Sequence, residues 1–478
     1  MKKFIALLLA LFLLPCWALA EGGSMSFTFG AEHPTETLTY CGDTIPSDLR
    51  ENLLADNPGL QLTLIQEYAS ASAVIQALTN HDATVDIYKL PADYVYSRIL
   101  DKGLAADLSA SEILSADAQA MDPRILELLT DSEGHLRAYP ADMSLQRWYV
   151  SDGLWQLVYG DDPVPTTIEA LLTAWLQWET IYADDYPQVE FLEGFTYSAW
   201  CKRLIELYAM QYEQPGEPLD LNAPSLKTAL GLLAQINDAR RRANRATTNE
   251  DYMEGWAEVA PIISLGMGAQ VMQTFWSFDS GIDPNLYGVE WAKRSVLPLT
   301  FAEGDPLQYH ASMYVYVINP YSEHLETAFK FIEHATYLES DPYVAYATHP
   351  QLTEPVEDPN NEHWVAIWRE EKERLEAALA TAEPADIPEL KEDLARTDYQ
   401  LELVEKNRWL ISTEDMASYR AISNQLDFHA HSLFVDSRNE ASTVIRDLCA
   451  RYCTGNLSMD AFLNELSNRL AMMIQENQ

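Results

Sequence analysis

Glu36-Thr37-Leu38-Thr39-Tyr40-Cys41 opens the stretch that decides the fold of this 478-residue chain. It reads as a strand. Ser47–Ala55 reads as a helix, with Ser47 at its N-cap position and Asn57-Pro58-Gly59 ending it. Leu60–Gln66 is a second strand, with Leu60, Leu62 and Leu64 alternating onto one face. Ser70–Asn80 follows as a helix, Thr84–Leu90 as a third strand, and Pro91–Leu100 as a helix with proline in its first turn. Strands and helices that alternate over short connections are the mark of βαβ units. An α/β fold with a parallel-rich, doubly wound sheet is therefore expected.

The pattern recurs downstream around a helical middle. His135–Pro140 and Gln146–Val150 read as strands. Thr166–Tyr182, Thr196–Tyr212 and Ser225–Arg242 read as helices. Val259–Leu265, Ser295–Leu299 and Met313–Asn319 return to strand composition before a helix over Ser322–Leu338. A chain that leaves one α/β lobe, builds another and returns explains this order. Lobe 1 is expected over 35–148 plus about 259–340, and a helix-rich lobe 2 over 149–258 plus about 413–478. Residues 362–412 form a helical hairpin insert. Ile387, Leu390, Leu394, Thr397, Leu401 and Val404 keep heptad spacing there, and Trp364, Trp368, Leu375 and Leu379 share a face of the preceding helix. Glu383-Pro384-Ala385-Asp386 breaks the two helices apart. A hairpin with such charged faces serves either as a partner-docking arm or, more simply, as a solvated decoration.

Upstream of the first strand, residues 1–20 have the layout of a signal peptide. Lys2 and Lys3 are basic, Phe4–Leu14 is apolar, and Ala18-Leu19-Ala20 is a small-x-small cleavage site. Glu21–Pro34 reads as a polar leader. An exported protein, extracellular or in the cell envelope, is expected. Pro15 before Cys16 fits a lipid-anchor motif poorly, so release is expected rather than anchoring. No later stretch approaches eighteen consecutive apolar residues.

The chain carries 31 Lys+Arg against 73 Asp+Glu, a formal charge of −42. Such a surface repels duplexes and anionic leaflets, which excludes nucleic acid as a partner. Hydrophobic residues make up 47% and charged residues only 22%, which argues against disorder. Cys41, Cys201, Cys449 and Cys453 follow the signal. Their pairing is open, although bridging Cys449 to Cys453 within one helix is geometrically awkward.

Catalytic signatures are scarce. The phosphate-binding P-loop, the serine-hydrolase elbow, the zinc-protease helix motif and the dinucleotide glycine fingerprint are all absent from the sequence. His429 and His431 lie close together, but no Cys or carboxylate set completes a ligand pattern, and no metal is expected.

The pieces combine into a resemblance. Leu38-Thr39-Tyr40-Cys41-Gly42 and Asn57-Pro58-Gly59-Leu60 are followed by Ile75-Gln76-Ala77-Leu78, Asp82, Val85-Asp86-Ile87-Tyr88 and Gly103-Leu104-Ala105-Ala106-Asp107-Leu108-Ser109. Then come Arg137-Ala138-Tyr139-Pro140, Trp148-Tyr149-Val150, Val164-Pro165-Thr166-Thr167, and Tyr316-Val317-Ile318-Asn319-Pro320-Tyr321-Ser322 with Ala328-Phe329-Lys330-Phe331-Ile332. In order and spacing over Glu36–Ser340 the chain resembles the bacterial extracellular solute-binding proteins of family 1, the sugar-binding type that serves ABC transporters. The resemblance implies a two-lobed periplasmic-binding-protein-like fold with hinge strands. It also implies a solute held in an inter-lobe cleft, no cofactor, no catalysis, and delivery to an ABC permease in the membrane, with the protein itself a monomer.

In doubly wound lobes ligands meet the carboxyl ends of strands. The candidates are Tyr40 and Asp43 after the first strand, Asp93 and Tyr94 after the third, and Trp148 and Tyr149 at the crossover. On the return passage they are Trp256, Trp276 and a loop holding Tyr309, His310 and Ser312. Aromatic rings stack on the C–H faces of sugars while fixed polar groups take the hydroxyls, so an oligosaccharide is the favoured solute. Two other functions fit the composition: an exported carbohydrate-active enzyme, and a degenerate binding or sensor protein.

Overall fold

The computed structural model describes residues 25–67, 70–92, 96–192, 196–213, 219–245, 259–268, 286–289, 291, 294–336, 342–406, 408–428 and 440–476. The segment 1–20, Asp93, Tyr94, Trp256, Trp276, His429 and His431 lie outside the described residues. The chain divides into two compact units, residues 1–142 with 313–348 and residues 143–312 with 349–478. This differs from the expected lobe boundaries chiefly at 259–312, which groups with the second unit. The reason is pairing: two strands of that stretch bond to the second half of a long strand that starts at Tyr139.

The strands are β1 Met25–Gly30, β2 Glu36–Gly42, β3 Leu60–Gln66, β4 Ile87–Pro91, β5 Tyr139–Ser151, β6 Val189–Leu192, β7 Ala260–Gly268, β8 Arg294–Leu297, β9 Tyr309–Ile318, β10 Val356–Glu357, β11 Trp409–Ile411 and β12 Leu426–Asp427. Within the first unit, β2 lies between β3 and β4, parallel to both. β1 adds antiparallel to β3, and residues 314–318 of β9 add antiparallel to β4. The sheet is thus mixed, parallel at its centre and antiparallel at its edges. The expected strands at 36–41 and 60–66 are present with little change in their ends. β1, by contrast, falls inside what reads as a polar leader, and Pro91 closes β4 opposite Tyr314 rather than opening a helix. The helix there is only Ser97–Asp101.

Alternation drives the first core. Leu38, Tyr40, Leu62 and Ile87 are each 0% exposed, packed with Leu53 of the Ser47–Asp56 helix and Phe331 of the Leu325–Ala335 helix. Pro46, not Ser47, precedes that first helix, and no side chain caps it. Two of the motif pieces quoted above meet here. Asp86 accepts from Thr39 N at 2.6 Å and from Ser322 Oγ at 2.5 Å, while Asn319 Nδ2 donates to Asp82 O at 2.7 Å and Val85 O at 2.8 Å. These fully spent polar groups latch β4 to the turn after β9.

In the second unit β5 pairs antiparallel with β7 and β8, and β6 runs parallel to β7. β12 runs parallel to the first residues of β9. β5 is one strand of 13 residues where two shorter ones were expected. The helices Asp152–Tyr159, Ile168–Gln177, Tyr197–Tyr212, Pro224–Arg242, Glu440–Cys453 and Met459–Glu476 share a core with the strands. At its centre Trp175 meets Trp200 edge-on at 5.4 Å and stacks on Phe191 at 5.8 Å. Glu179, wholly buried beneath them, is held by Arg240 and Arg245 at 2.7 Å each, which matches its charge. The hairpin insert is present as helices Asn361–Ala380 and Ile387–Lys406 packed on each other, with Leu375, Thr397 and Leu403 buried and Trp364 exposed.

Candidate functional site

Each unit gathers some of the residues expected to meet a ligand. In the first unit they lie where β2 and β4 end. Asp43 Oδ1 is 2.9 Å from Lys89 Nζ, and Asp142 Oδ2 is 3.9 Å from the same ammonium. The Tyr314 ring centroid lies 5.6 Å from it. The Lys89 side chain is 7% exposed, and a buried ammonium is tolerated only when paired. Asp43 is therefore engaged by a cation of its own chain. Tyr40 is placed in the core, stacked on Phe331 at 5.4 Å and edge-on to Tyr316 at 6.1 Å, its hydroxyl donating to Thr44 O at 3.1 Å. Next to it, burial pushes the Cys41 thiol up to about 11, with the Glu67 charge adding to the effect.

The second unit holds a pocket of about 560 Å³, counting its open mouth. Side chains alternate along β5, which sends Gln146 and Trp148 to the pocket while Tyr149 and Arg147 take the other face. Trp148 is backed by Trp200, their ring centroids 5.7 Å apart. Tyr309 and His310 also line the pocket. They are the opening residues of β9, not a loop, because Leu426 and Asp427 of β12 pair with them in parallel register. That pairing brings Asp427 to the pocket as well. Burial raises the Tyr309 phenol, opposed by the charge of Arg147, so its hydroxyl stays protonated and lies toward the strand face that Arg147 and Tyr149 share. Ser312 bonds Ser144 through their hydroxyls at 2.6 Å and is not part of the lining.

The remaining wall is fixed by its own hydrogen bonds. Gln211 Nε2 donates to Pro306 O at 3.0 Å and its Oε1 accepts from Phe301 N at 3.4 Å. Thr300 Oγ1 donates to Thr166 O at 3.2 Å and Ala302 O at 3.0 Å. Gln146 differs from both. Its Oε1 is buried and has no hydrogen-bond partner among the described residues. An unmatched buried acceptor is costly, so it marks a place where a donor would be well received.

Of the eleven sequence candidates the structure thus brings Trp148, Tyr309 and His310 together, places Asp43 and Tyr40 in the first unit, and turns Tyr149 and Ser312 away from the pocket. Gln146, Gln211, Phe301 and Asp427 were not anticipated. Gln146 was readable, since it lies two residues before Trp148 on the same strand face. Asp427 was not, because a short β12 placed far along the chain has no local signal.

The lining offers aromatic and aliphatic surface beside amide, hydroxyl and imidazole groups. Among the described lining residues there is one carboxylate, Asp427, and neither Lys nor Arg. Such a surface suits an uncharged molecule with apolar faces and many hydroxyls. Among those residues, too, no pair of carboxylates faces across a gap as glycoside hydrolysis requires.

No family model matches the chain, and no curated protein matches it. Solved structures do. A maltose-bound MalE3 from T. maritima superposes with a TM-score of 0.54 at 15% identity, over 92% of this chain and 100% of that one. An ABC-transporter solute-binding protein from Agrobacterium vitis S4 with bound D-mannitol gives 0.51 at 14%, over 92% and 99%. A cyclic α-maltosyl-1,6-maltose binding protein from Arthrobacter globiformis gives 0.51 at 12%, over 93% and 100%. At these identities the likeness is one of fold, and the chain has the periplasmic-binding-protein-like α/β fold.

Proposed function

We propose that this chain is an exported solute-binding protein. It captures a neutral polyhydroxylated solute, an oligosaccharide or a sugar alcohol, and hands it to an ABC importer in the membrane. One observation carries the reading: Gln146, whose buried Oε1 has no partner among the described residues, lines a pocket together with Trp148, Phe301 and Tyr309. A sugar hydroxyl donates to that oxygen, the ring's C–H face rests on an aromatic wall, and His310 and Asp427 take further hydroxyls. Binding of this kind needs no cofactor and changes no bond in the solute. The fold neighbours, which bind maltose, D-mannitol and a cyclic maltosyl-maltose, support that solute class. No helix among the described residues is long and apolar enough to cross a membrane, so transport is assigned to a separate permease.

The test is a thermal-shift screen of the intact chain against maltose, longer maltooligosaccharides, D-mannitol, peptides and polyamines, with each positive followed by product analysis. A rise in Tm with a neutral saccharide or polyol, and unchanged solute afterwards, is the expected result. Stabilisation by polyamines or peptides alone rejects the solute class. Release of a cleaved product rejects the binding-protein reading in favour of the carbohydrate-active enzyme.

A further inference from the structure

Three of the four cysteines of the described chain converge in the second unit. Cys201 lies in the Tyr197–Tyr212 helix and is 0% exposed. Cys449 and Cys453 lie one turn apart on the Glu440–Cys453 helix, which packs against it. Cys201 and Cys449 belong to the core and Cys453 packs on its edge, half-buried. Tyr197 and Tyr452, whose ring centroids are 6.4 Å apart, mark the same helix contact. The proximity of the Cys449 and Cys453 thiols, together with burial, holds the Cys201 thiol well above the ordinary thiol range. Cys41 is in the other unit.

We propose that Cys201, Cys449 and Cys453 form a thiol–disulfide site in which one disulfide joins the two helices, Cys201–Cys453 being the bond formed first. Cys453 is the thiol that solvent reaches, so it meets the oxidant, a small or protein-borne disulfide. Its thiolate attacks one sulfur of that disulfide, forms a mixed disulfide and expels the other sulfur as a thiolate. Cys201 then passes its proton to the released thiolate and, as a thiolate, attacks the Cys453 sulfur, closing the Cys201–Cys453 bond and expelling the second thiolate. The two protons lost by the cysteines convert the two released thiolates to thiols, so two protein thiols are oxidised and one disulfide is reduced. Cys449 stays reduced beside the bond and is, among the described residues, the one thiol placed to exchange into it. A bond between Cys449 and Cys453 is disfavoured, because side chains one turn apart on a helix run parallel. The disulfide closes a loop of some 250 residues, and the chain-entropy argument makes such a long loop strongly stabilising.

Intact protein is incubated natively with oxidised glutathione, its free thiols are alkylated, and tryptic peptides are mapped without reduction. Cleavage after Arg451 separates the Cys449 peptide from the Cys453 peptide, so the bond is assigned directly. The expected result is the Cys201 peptide joined to the Cys453 peptide, with Cys41 and Cys449 alkylated and Tm lowered by several degrees on reduction. In Cys453→Ser the link moves to Cys449, and in Cys449→Ser it is unchanged. Four alkylated thiols, a link through Cys41, or bonds only between molecules overturn the proposal. Because Cys449→Ser and Cys453→Ser each keep two thiols of the cluster, misfolding of one variant leaves the other and the wild-type map decisive.

Discussion

The Lys89 cluster in the first unit and the Gln146 pocket in the second place buried polar groups near the strand residues expected to bind a ligand. They differ in whether the chain itself sets an opposite charge or a donor beside those groups. Around Lys89 one ammonium faces two carboxylates and an aromatic ring, so each charged group there has an opposite charge of the chain beside it. At Gln146 the amide oxygen is left without a partner while its neighbours Gln211 and Thr300 are tied down. Polar groups that close on themselves stabilise a fold. One left unmatched in the wall of an aromatic-lined pocket is a cost that a ligand's donor offsets.

Substitutions separate the two regions by what they change. Lys89→Met strips the cation from two partly buried carboxylates and is expected to cost about 3 kcal/mol in urea unfolding; unaltered stability would mean the cluster is not a structural device. Gly42→Ala, at the end of β2 beside Asp43, puts a methyl 2.3 Å from the Tyr40 hydroxyl. A loss of about 2 kcal/mol is expected, since that ring is pinned in the core. In the second unit, Gln146→Leu is expected to weaken saccharide binding roughly tenfold while leaving the ligand-free protein as stable or up to about 1 kcal/mol more so. A drop in both together would place Gln146 in the fold's own framework.

Acid sharpens the contrast in a milder way. Burial alone would raise the Asp131 carboxyl, but the hydrogen bonds from Arg137 and from the backbone at His135 and Glu133 hold it well below the ordinary carboxylate range. A group depressed in the folded state stabilises above its unfolded pKa, about 4, and that contribution fades as pH falls through the folded value. The wild type is therefore expected to lose stability below pH 4 more steeply than Asp131→Asn, as read from Tm against pH. Deleting 362–406 and closing the gap is expected to leave the saccharide-induced Tm shift within error. Loss of that shift would give the hairpin a part in binding.

What the sequence made legible was local. β2 and β3 were readable because Leu38 with Tyr40, and Leu60 with Leu62 and Leu64, repeat every second residue. The Asp86 and Asn319–Ser322 motifs were readable as pieces, and their mutual hydrogen bonds explain why they occur together. β1 escaped notice because it is an edge strand with mostly exposed residues, stabilised by pairing with β3 rather than by burial. β5 read as two strands because Pro140 and Asp142 interrupt its apolar pattern, whereas both lie within one continuous strand. The site divides in the same way. Trp148 was found from its aromatic type near a strand and Gln146 could have followed from it, but Asp427 reaches the pocket through a pairing with His310 that nothing near it in the chain announces.

The most direct measurement is a calorimetric titration of maltose into the wild type and into Gln146→Leu at neutral pH. Saturable binding to the wild type, roughly tenfold weaker binding to the variant, and unaltered maltose recovered from both are expected. Equal affinities in the two proteins would contradict this reading of the pocket.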